Sequence, residues 1–266
     1  MASGRLRPPP GRPLYWRMES LSPDSPLAAL VQPSPNHGDR KGRTPDCIVL
    51  HYTGMPTAEG ALAQLCNPKA EVSSHYFVFE DGRIVQLVPE ARRAWHAGRS
   101  SWFAETDMNS ASIGIEIVNP GHDGGMPPFP DAQIDAVIAL CRDIVARRGI
   151  APERILAHSD IAPGRKVDPG ERFPWKRLAQ QGVGLWREPA PDMPGLILAF
   201  GATGAAVTAL QRALAALGYG IDETGLYDAR TKTVVEAFQR RWRPNRIDGI
   251  ADAGTRATIA SALPVA

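Results

Sequence analysis

The chain has 266 residues, a formal net charge of +2, and 43% hydrophobic against 22% charged residues. That length holds one domain of ordinary size and a small second one, and the composition is ordinary for a soluble globular protein. The charge balance lacks the concentrated basic patch that nucleic acid requires, no apolar run reaches the ~18–20 residues of a membrane span, and Cys47, Cys66 and Cys141 form neither a CxxC pair nor a disulfide framework.

Residues 1–43 are rich in Pro, Arg, Gly and Ser and read as an irregular arm, with Leu14–Met18 as the stretch that would pack onto the domain. Met1–Met18 has positive charge but no apolar core, so it fails as a secretory signal. A first domain is expected over 44–184. Cys47-Ile48-Val49-Leu50 is a continuous apolar run, which predicts a strand buried on both faces, and a short helix is expected around Thr57–Leu65. Tyr76–Phe79 and Ile84–Val88 flank an Asp81-Gly82 pair, the signal of a hairpin whose two turn positions take positive φ.

Ser112–Val118 alternates. Ile113, Ile115 and Ile117 point to one face, which must be core, so Glu116 is held on a rigid strand with its side chain on the opposite face. Asp131–Arg148 has Ile134, Val137, Ile138, Cys141, Ile144 and Val145 on one helical stripe, with Asp131 as candidate N-cap and Gly149 as stop. Ile155–His158 predicts a short strand running into a Pro/Gly-rich loop, and Pro174–Gln180 a last helix. The alternation of strands and helices predicts an α/β fold, a central mixed β-sheet flanked by helices.

Pro189, Pro191 and Pro194 mark 185–195 as a linker that lets the remainder sit apart. Residues 196–266 contain a repeat: Gly225-Leu226-Tyr227-Asp228-Ala229-Arg230-Thr231 matches Gly249-Ile250-Ala251-Asp252-Ala253-Gly254-Thr255. In each copy Gly turns the chain and Asp caps a helix. The repeat and the leucine stripe of Leu210, Leu214 and Leu217 predict a small three-helix domain.

Six histidines are present, and a lone histidine is more often structural than a ligand. His51 and His158 stand apart because each ends an apolar strand, where fixed side chains meet solvent. Asp168 follows ten residues after His158. Two neutral imidazoles and a carboxylate give zinc three protein ligands and leave a fourth position open, as catalysis needs. The alternative is two rim histidines and a loop aspartate.

Four segments weigh on that choice. Val49-Leu50-His51-Tyr52-Thr53, Ala94-Trp95-His96-Ala97-Gly98, Ser112-Ile113-Gly114-Ile115-Glu116 and Ala157–Gly170, which reads AHSDIAPGRKVDPG, resemble in order the motifs of the type-2 N-acetylmuramoyl-L-alanine amidases. The likeness covers about 45–184, and the tail resembles a three-helix peptidoglycan-binding module. The resemblance implies Zn2+ on His51, His158 and Asp168, catalytic roles for Glu116 and Lys166, and peptidoglycan or muropeptides as partner. It implies cleavage of the amide between N-acetylmuramic acid, or its anhydro form, and L-alanine, with the tail as a substrate anchor outside the chemistry. His75 and His96 either line the substrate groove, beside Trp95, or serve as buried supports. Arg99 and Arg165 are candidates for the stem-peptide carboxylates.

Two other readings stand beside this one. Relatives on the same fold bind peptidoglycan without cleaving it, usually after losing a zinc ligand; here all three positions are filled. A cytoplasmic amidase restricted to soluble anhydro-muropeptides would suit the missing secretory signal, whereas the tail suits the insoluble wall and hence the cell envelope (periplasm). Nothing in the pattern specifies an oligomeric state.

Overall fold

The computed structural model describes residues 22–263, and the stretch Leu14–Met18 lies outside them. Order begins earlier than the sequence pattern implies. Within the expected arm, Leu30–Val31 forms strand β1 and His37–Gly38 forms β2. Strands of two residues are too short to show alternation. Polar contacts fix the segment instead: buried Arg40 donates to the carbonyls of Glu90, Ser110 and Ser112. Residues 22–43 therefore belong to the first domain rather than to an irregular arm.

Strand β3 (Cys47–Tyr52) is buried over its first five residues, as its apolar run requires. Helix α1 (Ala58–Leu65) is capped by Thr57, whose side chain accepts from the Gly60 N–H. β4 (Tyr76–Val78) and β5 (Ile84–Gln86) form the expected hairpin, with a different turn. Only Gly82 takes a positive φ, 86°, and the Phe79 N–H donates to the Arg83 carbonyl at 2.9 Å around a three-residue loop. A left-handed glycine ending such a loop gives the strands the twist that a two-residue turn would otherwise supply.

β6 (Arg93–Ala94) pairs with β2, and α2 (Met108–Ala111) leads into β7 (Ser112–Ile117). Then come α3 (Asp131–Arg148), β8 (Ile155–Ala157), the single turn α4 (His158–Ile161) and α5 (Trp175–Gln180). Gly149 ends α3 at φ 67°, as expected, but Asp131 is not its N-cap. Pro130 holds that position, and the Asp131 carboxylate pairs with Arg177.

The main sheet has the order β1-β5-β4-β7-β3-β8. β4, β7, β3 and β8 run parallel, β5 is antiparallel to β4, and β1 is parallel to β5, so the sheet is mixed. One face carries Ile48, Leu50, Ile113, Ile115 and Ile117 against Ile134, Val137, Cys141 and Ile144 of α3. Each such side chain contributes about 1.5–3 kcal/mol by leaving water.

The tail forms α6 (Ala205–Ala216), α7 (Ala229–Trp242) and α8 (Ala253–Ala262). Asp228 and Asp252 cap α7 and α8, accepting from the N–H groups of Thr231 and Thr255. The tail does not sit apart. Cys47, Val49, Leu156 and Ile161 of the first domain lie in one apolar cluster with Leu214, Val234, Phe238 and Trp242 of the tail. The Pro-rich stretch is bound along the module: the Ala190 N–H donates to Thr258 Oγ1 at 3.0 Å, and Asp192 pairs with Arg243.

Candidate metal centre

Strand pairing sets the site. β3 and β7 are parallel, with His51 opposite Glu116. Residues opposite each other in a sheet project to the same face, so both leave the sheet on the side away from the isoleucine row. β8 borders β3 on its other side with Ala157 opposite Leu50, which brings His158, the next residue, beside His51. The Pro/Gly loop then returns: the Ser159 N–H donates to the Asp168 carbonyl at 3.0 Å, folding Asp168 back onto the histidine that precedes it by ten residues.

Three donor atoms meet there. His51 Nδ1 lies 2.9 Å from His158 Nδ1, and each lies 3.0 Å from Asp168 Oδ2. All three residues are buried. The other ring nitrogens decide the protonation. His158 Nε2 lies 3.1 Å from the Ala97 carbonyl, an acceptor, which in the neutral ring puts the proton on Nε2 and the lone pair on Nδ1. His51 Nε2 donates to His96 Nδ1 at 3.0 Å, and His96 Nε2 passes the pattern on to Ser112 Oγ at 3.3 Å. Burial and the neighbouring His158 push the pKa of His51 down to about 4, so it stays neutral. With both rings in this neutral tautomer, two lone pairs and a carboxylate oxygen face one another at about 3 Å. Such a triangle is repulsive unless a cation sits against it, and two imidazoles with one carboxylate are the donors that zinc accepts. The three residues could hold a metal ion.

The triangle lies in a groove of about 410 Å³ that Glu116, Lys166, His96, Tyr52 and Arg165 also line. Glu116 Oε2 is buried and has no hydrogen-bond partner among the described residues. Burial, then the charge of Asp168, push its carboxyl well above the ordinary range, while Lys166 pulls the other way. An unpartnered carboxylate with a raised pKa, beside a metal position, is suited to taking and returning a proton.

The substrate-contact candidates divide. His96 and Arg165 line the groove; His75, Trp95 and Arg99 do not. His75 is fully buried, its Nδ1 accepting from the Gly114 N–H and its Nε2 lying 2.7 Å from Arg40 Nη2 and 3.0 Å from the Arg92 carbonyl. Burial and Arg40 lower its pKa to about 3, which makes it a neutral support. The backbone N–H of Trp95 donates to Ser73 Oγ, and its ring lies beside Gly38. Arg99 lines a separate cavity of about 370 Å³ with Arg165 and Arg230, at the border with the tail.

Sequence reasoning missed two supports. A Cβ on Gly114 would lie 2.4 Å from the His96 ring, so the glycine makes room for the residue that orients His51. The signal was a glycine on the same strand face as Glu116. Asn109 was the other: its Oδ1 accepts from the N–H groups of both His96 and Ala97.

The N-acetylmuramoyl-L-alanine amidase family model matches residues 41–171, and a peptidoglycan binding domain model matches residues 203–259. The N-acetylmuramoyl-L-alanine amidase AmiD of Escherichia coli is 43% identical over 230 residues, which span 81% of this chain and 81% of AmiD. The chain belongs to the N-acetylmuramoyl-L-alanine amidase family. The solved complex of AmiD with the substrate anhydro-N-acetylmuramic acid-L-Ala-D-γ-Glu-L-Lys superimposes with a TM-score of 0.69 at 38% identity, over 87% of this chain and 91% of that one. The 1,6-anhydro-N-acetylmuramyl-L-alanine amidase AmpD of E. coli is 34% identical over 57% of this chain and 91% of its own length. Amidases of this family are zinc-dependent in general, which agrees with the donor set described above.

Proposed function

We propose that this amidase hydrolyses the bond between N-acetylmuramic acid, its anhydro form included, and L-alanine, with zinc held by His51, His158 and Asp168. The observation that carries the reading is the convergence of His51, His158 and Asp168 donor atoms beside an unpartnered Glu116 oxygen in one groove. Held by these three residues, zinc would supply Lewis acidity for the lactyl carbonyl and for a water. Glu116 accepts the proton of the attacking water and returns it to the departing amine of L-alanine. Lys166, exposed on the groove wall, neutralises the negative charge that grows on the carbonyl oxygen. His96 keeps the His51 lone pair turned toward the metal position.

The match of residues 203–259 to a peptidoglycan binding domain supports insoluble wall as a substrate and the cell envelope as the place of action. Holding the enzyme on the polymer raises the local concentration of cleavable bonds. The test is mass spectrometry of products from purified sacculi and from a soluble anhydro-muropeptide. Free stem peptides beginning with L-alanine are expected from both, and no release after chelation. Release that persists after exhaustive chelation would exclude the metal, and release from the soluble substrate alone would exclude the wall.

A further inference from the structure

The turn that carries His158 is gripped from two domains. Within the turn, the Ala157 N–H donates to Asp160 Oδ2 at 2.9 Å. From the tail, the Tyr219 hydroxyl donates to Asp160 Oδ1 at 2.8 Å, and Arg241 Nη1 donates to Oδ2 at 2.7 Å. Asp160 is 0% exposed, Tyr219 3% and Arg241 4%. Arg241 Nη2 also donates to the carbonyl of Ile155, where β8 begins. Its guanidinium carbon lies 4.1 Å from the ring centroid of Trp175 in the first domain and 5.0 Å from that of Trp242 in the tail.

A buried ion pair is a poor source of stability, because desolvation offsets most of the attraction. Apolar side chains at these positions would dock the two domains as well or better. A fully hydrogen-bonded buried carboxylate does supply a single allowed geometry. Here that geometry belongs to α4, whose first residue is His158. His51 lies within β3 and is held by its pairing with Glu116 of β7, one residue beyond the last β3–β8 pair. His158 comes one residue after β8 ends, so its aim depends on how this turn is held.

We infer that Tyr219 and Arg241 are positioning residues for the metal site: by fixing Asp160 they hold the α4 turn so that His158 Nδ1 faces His51 and Asp168. Docking of the tail thereby tightens metal binding, and metal binding tightens docking by the same factor. The inference rests on the reading of His158 as a metal ligand.

Zinc dissociation constants of the full-length chain, measured against a competing chelator, test it. Tyr219→Phe removes one hydroxyl and keeps the ring that packs against Trp102 and Phe238. It should weaken zinc binding roughly tenfold, the lower end for a residue behind a ligand. Asp160→Asn should weaken it at least as much. The double variant should be no weaker than Asp160→Asn alone, since Tyr219 acts through Asp160. A contact that merely stabilises the fold would lower the Tm of the zinc-free chain and leave the dissociation constant unchanged. Unchanged zinc affinity in Tyr219→Phe and Asp160→Asn, with folded protein, overturns the inference. Arg241→Gln strands a buried carboxylate and is expected to destabilise the chain, so the decision rests on the milder pair. His158→Ala is the control for the underlying reading: if it binds zinc as tightly as wild type, the metal assignment itself falls, whatever Tyr219→Phe does.

Discussion

Glu116 and His51 face each other across a parallel strand pair, so the distance from proposed base to proposed metal ligand is set by backbone hydrogen bonds rather than by a loop. Glu116→Gln should therefore keep fold and zinc while turnover falls by roughly 10²–10⁴. Near-normal turnover on a soluble muropeptide would reassign the proton transfer. Gly114→Ala tests the support behind His51. The new methyl would overlap the His96 ring, so zinc affinity should drop although no ligand has changed. Equal affinity in chelator competition would mean that His96 is not needed to hold the tautomer. The residues that could do chemistry were legible early, because His51, Glu116 and His158 stand where apolar runs break. Their neighbours were not. The sequence left His96 as either a groove residue or a buried support; it does not say that its ring fills the space a glycine leaves.

At the scale of elements, Glu90 joins helix to sheet. It is fully buried and pairs with Arg147 and Arg148 at the end of α3, while Tyr76 of β4 donates to it. Burial alone would raise its pKa; the hydrogen bonds from Arg147, Tyr76 and Arg148 outweigh that and bring it down to about 2 from 4.5. The folded state thus binds this proton less readily than the unfolded chain. Its contribution is complete above pH 4.5 and is lost as the pH falls toward about 2, a difference on the order of 3 kcal/mol. Glu90→Gln should be less stable at neutral pH and should show a shallower fall of Tm across that acid window. Parallel Tm curves for the two proteins would place the acid sensitivity elsewhere. Long periodic elements such as α3 and β7 were readable because many residues vote for one face. β1 and β2 were not, since two residues carry no period and what holds them is pairing with strands far along the chain, β1 with β5 and β2 with β6.

At the scale of the molecule, the tail serves as a second layer over the sheet. A chain ending at Pro194 would expose Val49, Leu156 and Ile161. At about 1.5–3 kcal/mol each, that predicts a loss of roughly 10 °C or more in Tm, read by differential scanning calorimetry. An unchanged Tm would show that the layer contributes little. The separation expected from the prolines failed for a physical reason. Proline fixes backbone direction and says nothing about whether the chain beyond it returns to the surface it left. The apolar residues at 47, 49 and 156 read as half of a strand buried on both sides, and only the fold reveals that their cover comes from the tail. The shared face bears on how such an enzyme can be re-engineered or reshuffled. Its binding module is not a cassette. Any foreign domain grafted after Pro194 to redirect the enzyme to another polymer would also have to bring an apolar surface of matching shape, a hydroxyl where Tyr219 stands and a guanidinium where Arg241 stands. A graft chosen only for what it binds would deliver the enzyme to its new target with the sheet uncovered and the His158 turn unheld.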